Sequence, residues 1–358
     1  MTVPTLPLEL YARIFQYARQ SELLALCLVN KEINRVAERK LYSDVILRDA
    51  QAALRFCHSI VARDGYRGAY VRRFWFWHEP KRGGRMPLLP EQFWSAIQTA
   101  LSIMTELEDL TIVDTTLRNT WILDPKYTKF QLLTARLHLA WDSNLVSFID
   151  TQTRLRSLQA AAPLDDDEPP CPIASTSLRT LQVFEGPLLV AAELLSCPLT
   201  HLRLFAGDDT LSILPIFIDN LIEDNKTLRS LSVIHVHPRM VLPLFEGLTA
   251  HSDFASRLRY LGVICLPSEH RDKLHKYLMK LNQLQVLEVE ASHWDPQPSH
   301  AAAQRVLASE LRIFCPSLRL VVFWIGHRHT PWAYVGDEWT REESKSTSAQ
   351  EDTLWRLV

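Results

Sequence analysis

Apolar residues recur along this chain in two different rhythms. Over residues 1–47 they cluster at helical spacing: Leu6-Pro7-Leu8-Glu9-Leu10, then Ile14-Phe15 and Tyr17. After a polar break comes Leu23-Leu24-Ala25-Leu26-Cys27-Leu28-Val29, followed by Ile33, Val36 and Leu41-Tyr42. Leu10, Ile14 and Tyr17 follow at steps of four and three, which places them on one helical stripe. The second stretch is apolar almost all round, as in a helix covered on more than one side. Three short helices cannot hide that much apolar surface among themselves. Later segments of the chain, or a second polypeptide, must cover it.

From residue 70 onward the rhythm changes to a short recurring unit. An apolar residue is followed after three positions by another, and after two more by a third. The units read Val71-Phe74-Phe76, Leu107-Leu110-Ile112, Thr134-Leu137-Leu139, Leu155-Leu158 with a weak third position, and Leu178-Leu181-Val183. They continue as Leu199-Leu202-Leu204, Leu228-Leu231-Val233, Leu258-Leu261-Val263, Leu284-Leu287-Val289 and Leu318-Val321-Phe323. The last two anchors are two apart, so they share one face of a strand. The mean period is about 26 residues, inside the range of leucine-rich repeats. Helical stretches separate the units, as where Pro90-Glu91 opens a run with Phe93, Trp94, Ile97 and Leu101. Strand, helix, strand at this period predicts parallel pairing.

Bulk properties narrow the setting. At 358 residues the chain has room for a large core and a small accessory domain. A net charge of -2 gives no global attraction to nucleic acid or anionic lipid. The six cysteines are widely spaced with no Cys-x-x-Cys pair, which suits a reducing compartment and argues against a zinc or disulfide framework. No secretory signal and no membrane-length apolar stretch is read, so cytoplasm or nucleus is expected. With ten glycines and none at phosphate-loop offsets, the common nucleotide-binding routes are removed. No nucleophile elbow or His-Glu-x-x-His pattern occurs either, so no catalytic residue and no cofactor is assigned.

At this point the residues resemble a family. Leu6-Pro7-x-Glu9-Leu10, Ile14-Phe15, Leu26-x-Leu28-Val29-Asn30-Lys31 and the closing Leu41-Tyr42 look like an F-box of the fungal type. The resemblance implies docking onto the Skp-type adaptor of a cullin-based (SCF-type) ubiquitin ligase. Carried over by position, Leu6, Pro7, Leu10, Ile14, Phe15, Leu28 and Val29 form the adaptor-facing set. The repeats resemble a degenerate leucine-rich array, although the asparagine or cysteine expected after the third anchor is missing. The expected architecture is α/β: a three-helix F-box over 1–47, a helical linker over 48–69, an irregular right-handed solenoid over 70–335 with its parallel sheet on the concave face, and a flexible tail over 336–358. Leu354 to Val358 is expected to dock back on the solenoid end, with Trp332, Trp339 and Trp355 shielding the terminal unit. A compact α/β domain with one parallel sheet is the alternative fold.

With the anchors pointing inward, alternate strand positions face outward, and these carry aromatic and basic residues suited to protein binding. The candidate target-binding set is Trp75, Trp77, Arg136, His138, Arg203, Phe205, Tyr260 and Trp324. Histidines gather after several strands, at His235-x-His237, His293-Trp294-Asp295 and His327-Arg328-His329, but no third ligand is identified and no metal is assigned. The function expected from the resemblance is substrate recognition in a ubiquitin ligase, with no bond chemistry of its own. The alternatives are a repeat scaffold whose N-terminal helices act as a cap, and a hydrolase or small-ligand protein using the histidine-rich strand ends.

Overall fold

The computed structural model describes residues 7–78, 88–164, 169–174, 176–207, 212–342 and 354–358. Leu6, the acidic stretch 165–168 and the polar segment 343–353 therefore lie outside the described residues. The chain divides into two compact units, Met1–Leu178 and Arg179–Val358. The architecture is mixed α/β, with twelve α-helices and thirteen strands described, most of the strands parallel. No described helix is long and apolar enough to cross a membrane.

The first unit opens with α1 (Leu8–Phe15), α2 (Gln20–Leu26) and α3 (Lys31–Ser43). Asn30 starts α3 by accepting a bond from the Ile33 amide at 2.8 Å, a side-chain cap for an otherwise orphaned donor. Phe15, Leu23 and Ala37 form a small core that holds α1 and α2 on α3. Then follow β1 (Asp44–Leu47), α4 (Ala50–Val61), β2 (Arg73–Phe76), α5 (Glu91–Ile103), β3 (Asp109–Val113), β4 (Thr134–His138), α6 (Ser143–Asp150) and β5 (Ser157–Ala160). Adjacent strands pair in parallel, and one inward row runs Val45, Phe74, Leu110, Ala135, Leu158. The helix expected after Pro90 is present, and it buries Phe93, Trp94, Ile97 and Leu101.

The second unit contains β6 (Val183–Pro187), α7 (Leu188–Glu193), β7 (His201–Phe205), α8 (Leu214–Asp224), β8 (Ser230–Ile234), α9 (Val241–Ala250), α10 (Ser252–Ala255) and β9 (Tyr260–Cys265). It continues with α11 (Arg271–Leu278), β10 (Val286–Glu290), α12 (Ala301–Phe314), β11 (Leu320–Ile325), β12 (Arg328–Val335) and β13 (Glu338–Arg341). Strands β6 to β11 are parallel, and β12 and β13 add an antiparallel hairpin.

Four expectations change. Residues 44–47 are a strand paired with β2, so the sheet begins inside the segment read as helical. Thr134 is not an anchor: it pairs with Asp109 and Ser157 on the outward row, while Ala135 takes the inward place beside Leu110. Likewise Phe184 is inward beside Leu202, and Val183 is outward beside His201. Alanine at 135 and glycine at 186 are too small to register as apolar anchors, so the apparent repeat slips at both places. Finally, residue 335 is no boundary, because the β12–β13 hairpin turns through Gly336 and Asp337 with positive φ. Trp332 and Trp339 are buried on this hairpin, where Trp332 Nε1 donates to Gln304 Oε1 on α12 at 3.0 Å.

One glycine fixes the local geometry of the second unit. A β-bulge shifts the β9–β10 register between Leu287 and Val289. A Cβ on Gly262 would come within 2.8 Å of both Glu288 Cβ and the Tyr260 hydroxyl. Gly262→Ala is therefore expected to destabilise the chain by about 1–3 kcal/mol through overpacking. A lowered urea midpoint at unchanged slope would register it; an unchanged midpoint would show that the crowding relaxes freely.

Candidate interaction surfaces

The first surface lies on the N-terminal helices. Phe15 is 3% exposed, while Ile14 next to it is 55% exposed and Leu28 is 87% exposed. Leu8, Leu10, Tyr17, Leu24 and Val29 are exposed as well, and so is Pro7. The helices bury one stripe on α3 and leave the other uncovered among the described residues. Of the seven residues carried over by resemblance, Pro7, Leu10, Ile14, Leu28 and Val29 are outside and Leu6 is not described. Phe15 is the correction: it belongs to the helical core with Leu23 and Ala37, against Tyr11 at 6.0 Å between ring centroids. Adjacent positions on a helix point about 100° apart, so committing Phe15 to the core turns Ile14 outward.

The second surface is the outward row of β1 to β4. Asp109 accepts the Trp75 Nε1 proton at 2.9 Å and faces Arg73 at 3.4 Å and Arg136 at 3.6 Å. Both guanidinium groups lie over the Trp75 ring, at 5.3 Å and 5.1 Å from its centroid. Arg48 covers the Trp77 ring in the same way at 5.2 Å. Trp75, Trp77 and Arg136 are thus gathered in a part-exposed layer whose rings and cations are already paired. His138 is exposed, its Nδ1 3.1 Å from the Asp114 carbonyl.

The third surface is the outward row of β6 to β11, and here the chain covers its own face. Val183, His201, Ser230, Tyr260, Val286 and Leu320 stand side by side across six strands. The segment Leu354–Val358 lies on them. Trp355 is 2% exposed and packs with Tyr260 and Val286, flanked by Val183 and Leu320. Ser230 Oγ donates to the Trp355 carbonyl at 2.6 Å, and His201 Nε2 stands 3.0 Å from the Val358 carbonyl. Arg356 Nη2 donates to Glu185 Oε2 at 2.7 Å, and Arg203 faces the other oxygen of the same carboxylate at 3.6 Å.

This placement corrects two expectations. Tyr260 is 2% exposed, so it forms the floor under Trp355 and not an open contact. Trp355 covers the sheet face instead of capping the last repeat. Tyr260 donates to Glu288 Oε1 at 2.9 Å, and Trp324 Nε1 donates to Glu288 Oε2 at 2.8 Å. Burial raises the Tyr260 phenol well above its ordinary range, and the neighbouring Glu288 adds to this. Burial likewise raises the Glu288 carboxyl, against the pull of its two donors. Arg203 and Trp324 are part-buried, while Phe205 remains exposed at 36%. Sequence reading missed Glu185, Ser230 and His201 as partners of one segment. Strand parity placed Ser230 and His201 outward, whereas the slip at Val183 put Glu185 on the wrong face, and nothing in the pattern said what would lie on top.

A polar cluster closes the edge of the same unit. Cys265 and Glu290 are register partners, and His293 Nδ1 lies 3.2 Å from Cys265 Sγ and 3.4 Å from Glu290 Oε2. Ligand atoms of all three fall within 4.8 Å of one another, so His293 has the neighbours that spacing alone did not reveal. Burial, with Glu290 beside it, pushes the Cys265 thiol up to about 12. A protonated thiol is a poor nucleophile and a poor ligand. Compared with protein-family models and with curated proteins, the sequence finds no match in either.

Two measurements follow from these sites. Burial holds the His201 imidazole below its ordinary value; the Val358 bond opposes this, and Arg229 and Arg356 reinforce it. An undocked His201 takes up its proton near pH 6.5, so docking of 354–358 is full above that value and weakens as pH falls through it. Hydrogen exchange at 354–358, corrected for intrinsic rates, should be faster at pH 5.5 than at 7.5, and His201→Gln should flatten the difference. Cys57 is also raised to about 12 by burial. At pH 8 roughly one such thiol in ten thousand is ionised. Iodoacetamide should accordingly modify the half-exposed Cys171 long before Cys57 or Cys265, as peptide mass mapping will read.

Proposed function

We propose that the chain is a substrate-recognition subunit of an SCF-type ubiquitin ligase. In this reading α1 to α3 are an F-box that docks on a Skp-type adaptor, and the strand–helix units form an irregular leucine-rich-repeat-like solenoid that holds a target protein. The protein performs no bond chemistry; it raises the effective concentration of a target near the ubiquitin-loaded enzyme. Cytoplasm or nucleus is the matching location.

The observation that carries the reading is the split between Phe15 and Ile14. The three helices satisfy their own small core and still present Leu10, Ile14, Leu28 and Val29 outward. Exposed apolar residues in this number on so small a unit are typical of a surface that a partner covers. A cap would be expected to bury these side chains against later segments; their exposure favours the docking reading. The repeat anchors, the mostly parallel strands and the linear strand order within each unit support the solenoid.

The test separates docking from folding. Ile14→Asp with Leu28→Asp should lose co-purification with a Skp-type adaptor, by at least about thirtyfold in affinity if these are hot-spot positions. Its melting curve should match that of the wild type, since both side chains face water. Phe15→Ala should instead destabilise the helical unit by about 3 kcal/mol. If the double aspartate variant still binds the adaptor at wild-type strength, the ligase reading fails.

A further inference from the structure

We infer that the outward row of β6 to β11 is a binding site for a protein segment carrying an aromatic residue followed by arginine, and that Leu354–Val358 is the chain's own copy of that ligand. The inference rests on the reading of this sheet face as the target-binding surface, and it specifies what a target presents there.

The site has three separable parts, each recognising a different feature. Tyr260 and Val286, with Val183 and Leu320 at the margin, form a socket that takes one large ring. The Glu185 carboxylate, held by Arg203 at 3.6 Å, receives a guanidinium at 2.7 Å, and that guanidinium also lies 4.8 Å from the centre of the seated ring. Ser230 and His201 bind main-chain carbonyl groups, which any sequence offers. The occupant is therefore read by one ring and one cation on successive residues, while its backbone is held without regard to sequence.

The same parts explain why a foreign segment would fit. All six of the row's residues come from strands of the parallel ladder, so the socket is built by rigid elements and not by the segment. Glu185 keeps Arg203 as a partner whether or not Arg356 is present, so vacating the site leaves no isolated buried carboxylate. Tyr260 likewise keeps its bond to Glu288. A tethered ligand acts at high effective concentration, so an external segment must outcompete it. The chain's own segment thereby sets a threshold that only a tight or multiply attached target passes.

The experiment uses a fluorescein-labelled peptide with the sequence of residues 351–358 and full-length protein, followed by anisotropy. Wild-type protein should bind it at least tenfold more weakly than the Trp355→Ala/Arg356→Glu variant, whose own segment no longer competes. A peptide with alanine in place of the tryptophan should not bind the variant. A peptide with glutamate in place of the arginine should bind only when Glu185→Arg is added to the protein. If the variant keeps the wild-type circular dichroism and melting curve yet does not bind the peptide, the inference is overturned. Should that variant unfold, Arg356→Glu alone must raise peptide binding; if it does not, the segment is a structural strand cover and nothing more. No adaptor enters these readouts, so their failure leaves adaptor docking to be judged by the Ile14 and Leu28 substitutions.

Discussion

Burial of one face of the parallel strands is the constraint on which the rest of this protein depends. In each unit a row of inward side chains, such as Val45, Phe74, Leu110, Ala135 and Leu158, is closed off from water. Because side chains alternate, committing one set to the core commits the next set to the opposite face. Everything with chemical character in the strands therefore lies on that second face: Trp75 among Arg73, Arg136 and Asp109, and Glu185 with Arg203. This polar and aromatic surface is a by-product of the packing rule and needs no separate scaffold.

The two units use that face differently. In the first, rings and cations pair with one another and stay part-exposed, so the layer is ordered by its own contacts. In the second, the chain brings a distant segment back over its own strands. The covering is specific, since it combines a buried ring, an ion pair and two carbonyl contacts. Gly262 is what lets Tyr260 and Glu288 approach closely enough to make the floor of this arrangement.

The N-terminal helices obey the same logic at smaller scale. A unit of about forty residues has too little interior to hide two apolar stripes, so one of them remains outside. The division falls between neighbours in sequence: Phe15 goes in and Ile14 stays out. That asymmetry makes the exposed stripe and the helical core separable properties, which a symmetric apolar helix would not permit.

Much of this was legible in the order of residues alone. Helical spacing over the first forty residues, the recurring anchors and the helix after Pro90 fixed the element types and the parallel pairing, because period two and period 3.6 leave distinct apolar signatures. Parity also placed Trp75, Arg136, Arg203 and Trp324 on the outward face. Where small residues stood at anchor positions, at Ala135 and Gly186, the apparent repeat slipped, since a pattern built on bulky side chains does not see a packed methyl group or a bare backbone. What only the tertiary structure decided is which side chains meet across long stretches of chain. Trp355 reaches Tyr260 and Arg356 reaches Glu185 because residues 354–358 lie over the sheet, and Cys265 meets His293 because its strand pairs with the one that precedes His293. Local periodicity reports the direction in which a side chain points, whereas the partner it finds there depends on where the rest of the chain has been folded.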